Sequence, residues 1–408
     1  MRILLAALML LGAAFAGCID DADDRDGPST TAGPGFHVVA PDQETDGLPD
    51  YRATPEVPSA LELAISAEAP GGNGLFLWND RAYVTTGNSE KGLVIFDITD
   101  PEAPVELGAL EGQSARDVDI LNYGDRIVAA VSAGGPLIFY DVTDPLEITE
   151  LVRFDITSHT NVVHRPGKAV YNSRSLGDPP GGAEIYDATD PANIKLHKVW
   201  DFPRTAEDGT PVGNTGCHEV VVYAEQNRAY CAAVTQTLIW DVTDPLEPVI
   251  LTAIDNPAIN IHHQAFTLLD HTVLAIGDEY GGALLYACGP NQDTPVREVS
   301  APVGAVWFYD LTTPTPTPLG YVSAPPAVEE APSTCTAHLG SQVGDESSGF
   351  LTIGWYVAGQ LLIDARDPTN PSIVSIYDEG GSVWEGRFYR GYVFGSTGGR
   401  GLDVLSVV

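Results

Sequence analysis

The stretch Gly92-Leu-Val-Ile-Phe-Asp-Ile-Thr-Asp-Pro101 decides the fold, because variants of it recur along the 408-residue chain. Each copy, called here the repeat motif, is a run of β-branched and aromatic residues that leads into an aspartate. These aspartates are Asp97, Asp141, Asp187, Asp241, Asp310, Asp364 and Asp403. They lie 44, 46, 54, 69, 54 and 39 residues apart, a period that is typical of β-propeller blades.

The repeat motif predicts one strand followed by one tight turn. Its apolar run suits a strand buried between neighbouring blades, and the aspartate carboxylate suits the backbone N–H groups of the turn. A predicted hairpin precedes each motif, and a short strand follows it. The sequence therefore predicts an all-β fold, a seven-bladed β-propeller with four antiparallel strands per blade.

The seventh copy of the motif has no strand after it, because the sequence ends at Val408. Residues 59–67 resemble the strand that follows the motif in the other copies. We expect strand 59–67 to complete the seventh blade and close the ring, which removes the open sheet edges that promote aggregation.

The motif resembles that of the LVIVD-repeat family of exported β-propeller proteins, over about residues 57–408. Further fragments that resemble this family are Gly216-Cys-His-Glu-Val-Val-Val-Tyr223, Gly277-Asp-Glu-Tyr-Gly-Gly282, Cys335-Thr-Ala-His-Leu-Gly-Ser341 and Gly399-Arg-Gly-Leu-Asp-Val404. The resemblance implies the fold and export from the cytoplasm. Since most members have no assigned biochemical function, it implies no reaction.

The N-terminal residues predict an exported lipoprotein. An apolar run follows Met1-Arg2 and ends in Phe15-Ala-Gly-Cys18, which resembles a lipoprotein cleavage site. We therefore expect a signal peptide over 1–17, a lipidated Cys18 within an acidic, disordered tether over 18–56, and the propeller over 57–408. A plain signal peptide with a chance cysteine is the alternative.

The charge of the chain limits its partners. Its 56 acidic and 20 basic residues give a formal charge of −36, which repels nucleic acid and anionic lipid. We expect membrane contact only through the lipid anchor. Only four residues are lysine. That balance suits a halophile, whose protein gains stability from molar salt as carboxylate repulsion is screened, although a GC-rich genome also favours arginine over lysine.

Four histidines occupy matching places where the first strand of a predicted blade begins. They are His159, His218, His263 and His338, and Glu385 takes the matching place in the seventh blade. The first strand of a blade is the innermost, so these side chains should ring one mouth of the central channel. In the second blade the matching place is about Asp117, and in the first it is Asn73 or Gly74.

Loops between the second and third strands should reach the same mouth. They carry Arg174, Asp278, Glu279 and Arg400. Imidazoles with carboxylates are ligands for Zn²⁺, Fe²⁺, Mn²⁺ or Cu²⁺, so one divalent transition metal is a candidate cofactor. The same groups suit general acid–base catalysis, with Glu279 as a candidate base. Alternatively, the histidines only plug the channel.

Four cysteines follow Cys18. We pair Cys288 with Cys335, because both should lie at the channel mouth in neighbouring blades. Cys217 and Cys231 are then paired by exclusion. A simple hairpin that turns at Gln226-Asn227 places Cys217 opposite Gln236 instead, so these two are either bridged across an irregular strand pairing or free thiols.

Two functions remain open from the sequence. The first is a monomeric, lipid-anchored binding or scaffold module at the cell surface, with an extracellular protein or a small molecule as its ligand. The second is a metal-dependent enzyme with a His/Glu site at the channel mouth. The sequence contains no nucleophile-elbow, P-loop or dinucleotide-binding motif.

Overall fold

The computed structural model describes residues 53–69, 71–174, 181–213, 215–280, 282, 304–323, 335–379 and 381–408. In these residues the strands are β1(Leu61–Glu68), β2(Gly72–Trp78), β3(Arg81–Thr86), β4(Leu93–Asp97), β5(Val105–Leu110), β6(Asp117–Asn122), β7(Ile127–Ser132), β8(Leu137–Asp141), β9(Thr149–Phe154), β10(Asn161–His164), β11(Ala169–Ser173), β12(Ala183–Asp187), β13(Lys195–Trp200), β14(Glu219–Tyr223), β15(Arg228–Ala232), β16(Thr237–Asp241), β17(Val249–Ile254), β18(His262–Leu268), β19(Val273–Asp278), β20(Val306–Asp310), β21(Thr317–Val322), β22(Gly340–Val343), β23(Phe350–Gly354), β24(Gln360–Asp364), β25(Ser372–Tyr377), β26(Val383–Tyr389), β27(Tyr392–Thr397) and β28(Gly401–Val407). Across the described ranges, no helix is long and apolar enough to cross a bilayer.

The strands form seven antiparallel sheets of four strands, which confirms the predicted seven-bladed β-propeller. Blades one to six each use four consecutive strands, β2–β5 through β22–β25. The first strands β2, β6, β10, β14, β18, β22 and β26 contact one another in that order, and β26 contacts β2 again. These seven strands are therefore the innermost, and they surround the central axis.

The seventh blade combines the two ends of the propeller. Its order is β26, β27, β28 and β1, and β1 pairs antiparallel with β28 from Leu61↔Val407 to Glu68↔Gly401. The N–H of Ser59 also donates to the carbonyl of Val408 at 2.6 Å. The predicted closure by residues 59–67 is confirmed.

The core lies between blades. Most residues of the three inner strands are buried, whereas the outermost strands are half exposed, as in β5 and β13. Rings from neighbouring blades pack edge to face, for example Tyr171 and Trp240, whose centroids are 5.7 Å apart. A short apolar run without alternation suits a strand that is covered on both faces.

The aspartates of the repeat motif cap turns, with one exception. Asp97 accepts the N–H of Thr99 at 2.8 Å, and the same bond recurs two residues after Asp141, Asp187, Asp241, Asp310 and Asp364. Asp403 differs, because it lies inside β28 and binds Arg400 and Ser66. The seventh motif therefore preserves the strand without the turn, since β28 pairs onward with β1.

Candidate metal centre

Most of the innermost strands begin at an irregularity in the β-ladder. Register shifts interrupt pairing at Gly72/Leu75, His262/Gln264 and Val383/Glu385. In three other blades a residue one or two positions ahead of the strand donates its N–H to the neighbouring second strand. These donors are Arg116, His218 and His338, and their acceptors are the carbonyls of Ser132, Ala232 and Gly354. Such a bulge adds one residue and turns its side chain toward the axis.

The four predicted histidines meet in the channel and form a continuous arc, called here the histidine arc. The ring centroids of His159 and His218 are 4.5 Å apart, those of His218 and His263 4.3 Å, and those of His263 and His338 4.4 Å. All four residues are at most 1% exposed. The sequence alignment of the blades thus placed these side chains correctly.

Two further side chains, Arg116 and Trp384, extend the arc. The Arg116 Nη1 atom lies 3.3 Å from His159 Nδ1 at one end, and the Trp384 ring lies 5.2 Å from the His338 ring at the other. We had assigned these places to Asp117 and Glu385. Because each bulge inserts one residue, an alignment without it slips by one position and selects the wrong face.

Glu385 links two neighbouring blades by hydrogen bonds and does not belong to the histidine arc. This corrects its assignment as a ligand. Its Oε2 atom accepts the N–H of Leu75 in the next blade at 2.8 Å, and its Oε1 atom accepts from Arg387. Asp117 likewise accepts the N–H of Asn161 at 2.5 Å. Burial raises the pKa of Glu385 to about 7. Its carboxylate satisfies a backbone donor of β2, which is the edge strand of the next blade.

Glu279 is the carboxylate that faces the histidine arc. It follows directly after β19 and is 2% exposed. Its Oε2 atom lies 3.5 Å from His263 Nε2, and its Oε1 atom lies 3.6 Å from His338 Nε2. The sequence predicts Glu279 at the rim, because it follows the second strand of its blade. In the structure its carboxylate reaches the histidines at the start of the innermost strands.

Tyr356 holds the Glu279 carboxylate. Its hydroxyl donates to Glu279 Oε1 at 2.5 Å, and its ring lies 4.6 Å from the His338 ring. The backbone of Tyr356 is left-handed, with φ of 48°. A bulky residue rarely adopts that conformation, and strained residues of this kind cluster at functional sites.

Ligand atoms of His218, His263 and Glu279 all lie within 4.8 Å of one another. Around a tetrahedral Zn²⁺ with bonds of 2.0–2.1 Å, ligand atoms stand about 3.4 Å apart. The His263–Glu279 separation of 3.5 Å is close to that distance, and the other separations are at most 4.8 Å. Two imidazoles and one carboxylate are a metal-binding set in known catalytic sites.

The histidines are neutral at physiological pH. Burial lowers the pKa of His218 and of His338 to about 3, and it lowers the pKa of His159 and His263 well below 6.5. Neighbouring histidines and Arg116 oppose a positive charge on His159 and His218 further. Neutral imidazoles offer a metal their lone pairs without competition from protons.

The ring of His338 is oriented for binding. Its Nδ1 atom is 2.6 Å from the carbonyl oxygen of Trp384. A carbonyl only accepts, so Nδ1 carries the proton and Nε2 presents a lone pair toward Glu279. Histidines that bind metals are commonly oriented in this way, through the nitrogen that does not bind the ion.

Several buried nitrogens of the arc have no hydrogen-bond partner among the described residues. They are His159 Nε2, His218 Nδ1, both ring nitrogens of His263, and His338 Nε2. Buried polar atoms are normally satisfied, since an unsatisfied one costs roughly 1–3 kcal/mol. Each neutral imidazole has one nitrogen with a lone pair, and His338 Nε2 is one of these. Unsatisfied ring nitrogens beside a carboxylate favour a cation as the missing partner.

The remaining predicted rim residues have structural partners. Asp278 accepts the N–H groups of Asn260, Ile261 and Gly304 at 2.9–3.0 Å, which fixes the loop that carries Glu279. Arg174 donates to Asp201 at 3.1 Å. Arg400 pairs with Asp403 at 2.6 Å within its own blade.

Cys217 and Cys231 form a disulfide, with a Cα separation of 5.4 Å. The predicted pairing is confirmed, and the regular hairpin that would have placed Cys217 opposite Gln236 is not formed. The β14 ladder begins only at Glu219, and Cys217 leaves it to donate its N–H to Gly182. Cys335 is also disulfide-bonded, and Cys288, its predicted partner, lies outside the described residues.

Replacing Cys217 and Cys231 with serine is expected to destabilise the propeller by about 3 kcal/mol, because the bridge closes a loop of 14 residues. Urea unfolding of the double variant and of the parent measures the difference. Cys217 adjoins His218, so metal affinity should fall as well. An unchanged unfolding midpoint contradicts a stabilising role for the bridge.

No protein-family model and no curated protein matches this chain. Among solved structures, it is similar to the β-propeller domain of Cps50 (Swd1) from Myceliophteria thermophila, with a TM-score of 0.58 and 10% identity over 85% of this chain and 100% of that one. It is also similar to a chain of the Mitotic Checkpoint Complex, with a TM-score of 0.54 and 10% identity over 95% of this chain and 98% of that one. At this identity the similarity supports the propeller fold alone.

Proposed function

We propose that this protein is a lipid-anchored, extracytoplasmic β-propeller that binds one divalent transition metal ion in its central channel. The observation that carries this proposal is the buried group of His218, His263 and Glu279, with ligand atoms within 4.8 Å of one another. The motif that resembles the LVIVD-repeat family and the N-terminal residues up to Cys18 support the location.

The donor atoms of this group restrict which metal ion it can bind. Neutral imidazoles favour Zn²⁺, Fe²⁺, Cu²⁺ or Ni²⁺ over Mg²⁺ and Ca²⁺, which prefer oxygen ligands. Three protein ligands leave at least one coordination position for water or a substrate, as in catalytic metal sites. His338 can occupy that position or orient a molecule bound there, because its Nε2 lone pair points toward Glu279.

Metal analysis of the full chain, produced without a histidine tag, tests the proposal. After dialysis against equimolar Zn²⁺, Co²⁺ and Mn²⁺, we expect about one bound ion per chain. The variant His218→Ala/His263→Ala is expected to lose more than about a hundredfold in affinity, since removing even an outer partner of a ligand commonly costs 10–100-fold.

His262→Ala is the matched control, because it removes a neighbouring buried imidazole. His262 Nδ1 lies 2.9 Å from Thr237 Oγ1 and does not belong to the ligand group. Circular dichroism checks that each variant is folded. The proposal is refuted if the parent protein binds no metal, or if the double variant binds the metal as tightly as the His262→Ala control.

Protein binding at the cell surface is the second candidate function. β-Propellers commonly act as interaction scaffolds because their loops are displayed on a rigid ring. Its support in this chain is the closed ring of seven blades. A propeller that recovers no partner from surface extracts, yet retains stoichiometric metal, favours the first function.

A further inference from the structure

A basic group and a second imidazole lie beside the ligand group, on the same arc. Going around the axis from His263, the order is His218, His159 and Arg116, and each contacts the next. Arg116 is half-buried, and its charge acts on both His159 and His218. The metal site therefore continues into a part of the channel with a different chemistry.

The contact between Arg116 and His159 determines which ring nitrogen of His159 carries the proton. A guanidinium only donates, so His159 Nδ1 at 3.3 Å from Arg116 Nη1 must be the acceptor. The neutral ring then carries its proton on Nε2. That atom is buried and has no hydrogen-bond partner among the described residues. It is therefore an N–H donor that can bind an acceptor on a ligand.

Charge favours an anionic acceptor. His159 alone separates the ligand His218 from the Arg116 guanidinium, because its ring contacts both. Glu279 is the one carboxylate of the ligand group. A second anion in the channel would offset the positive charge that collects there. Guanidinium groups bind carboxylates and phosphates through two parallel hydrogen bonds, and a metal with an open position binds the same oxygens.

We propose that Arg116 and His159 form a subsite for a small oxyanion, a carboxylate or a phosphate, that completes the coordination of the metal ion. The inference rests on the proposed function. It identifies the class of ligand that the metal site takes: the anion binds with one oxygen toward the ion and another toward Arg116 and the Nε2–H of His159.

Cobalt serves as the test ion, because its visible absorption reports a change of ligand. The full chain is loaded with Co²⁺ and titrated with acetate and, separately, with phosphate at constant ionic strength. We expect a saturable spectral change with at least one of the two anions. Arg116→Met and His159→Phe should retain the cobalt yet bind that anion at least about tenfold more weakly.

Arg153→Met is the control, since Arg153 lies on the outer strand β9 and pairs with Glu150 at 2.7 Å. This variant should respond like the parent. If Arg116→Met only strengthens cobalt binding and leaves the anion affinity unchanged, Arg116 acts by repulsion and the subsite is refuted. Cobalt bound without any anion response overturns this inference alone, whereas a chain that binds no cobalt overturns it together with the proposed function.

Discussion

Glu279→Gln is expected to weaken Zn²⁺ binding more than about a hundredfold and to remove its dependence on pH. Burial raises the pKa of Glu279 to about 8, and the charge of Asp278 adds to this effect, whereas the hydrogen bond from Tyr356 opposes it. Below that pH the carboxyl group keeps its proton until a metal displaces it. Parent affinity should therefore rise about tenfold per pH unit up to about pH 8 and then level off.

Proton release provides the measurement. Titration calorimetry of Zn²⁺ in two buffers of different ionisation enthalpy should count about one proton per ion for the parent near pH 7. His263 and His338, which face Glu279, stay neutral at that pH and release none. The glutamine variant should release no proton. A proton count that is equal in both proteins contradicts the role of Glu279 as a ligand.

The same carboxyl group links stability to pH in the metal-free protein. Its folded pKa of about 8 exceeds the ordinary value of 4.5, so folding favours the protonated form. The resulting stability is fully present below about pH 4.5 and is lost as the pH rises through about 8. Metal-free Glu279→Gln should therefore lose less stability than the parent between about pH 6 and pH 9.

Deleting residues 57–68 is expected to prevent stable folding. This deletion removes β1, which pairs with β28 along its length and leaves the seventh blade with three strands. It also exposes apolar surface on β28, where Val407 is 1% exposed. The loss is comparable with the ~5–15 kcal/mol that keeps a domain folded. Calorimetry and light scattering measure the lost transition and the aggregation.

A pair of point variants separates ring closure from loss of chain length. Leu61 is 5% exposed and Leu63 is 38% exposed, although both lie on β1. Leu61→Asp should lower the melting temperature strongly, whereas Leu63→Asp should change it little. Equal effects of the two substitutions, or a deletion variant that melts like the parent, refute the closure as a source of stability.

The repeat motif was sufficient to predict the fold, because each copy specifies a buried strand at a nearly regular spacing. Six of the seven motif aspartates, such as Asp97, were correctly interpreted as turn caps, and Asp403 was not. The four histidines were found because radial symmetry brings matching strand entries together. What symmetry predicts, in other words, is the position of a residue around the axis.

The parts of the site that were wrong depend on local departures from that symmetry. The bulge that puts Trp384 rather than Glu385 at the axis adds one residue without any change in composition, so the sequence does not reveal it. The Cys217–Cys231 bridge was paired correctly, but the departure of the chain from the ladder before Glu219, which permits the bridge, was left open. Both features depend on where the hydrogen-bond ladder of an innermost strand starts.

The pairing of β1 with β28 also bears on how the chain reaches its native state. The bond between Ser59 and Val408 spans 349 positions, so the last sheet cannot assemble until all of residues 59–408 have been synthesised. Contacts between such distant segments slow folding. The propeller therefore stays an open ring, with a three-stranded seventh sheet, until β28 can pair with β1.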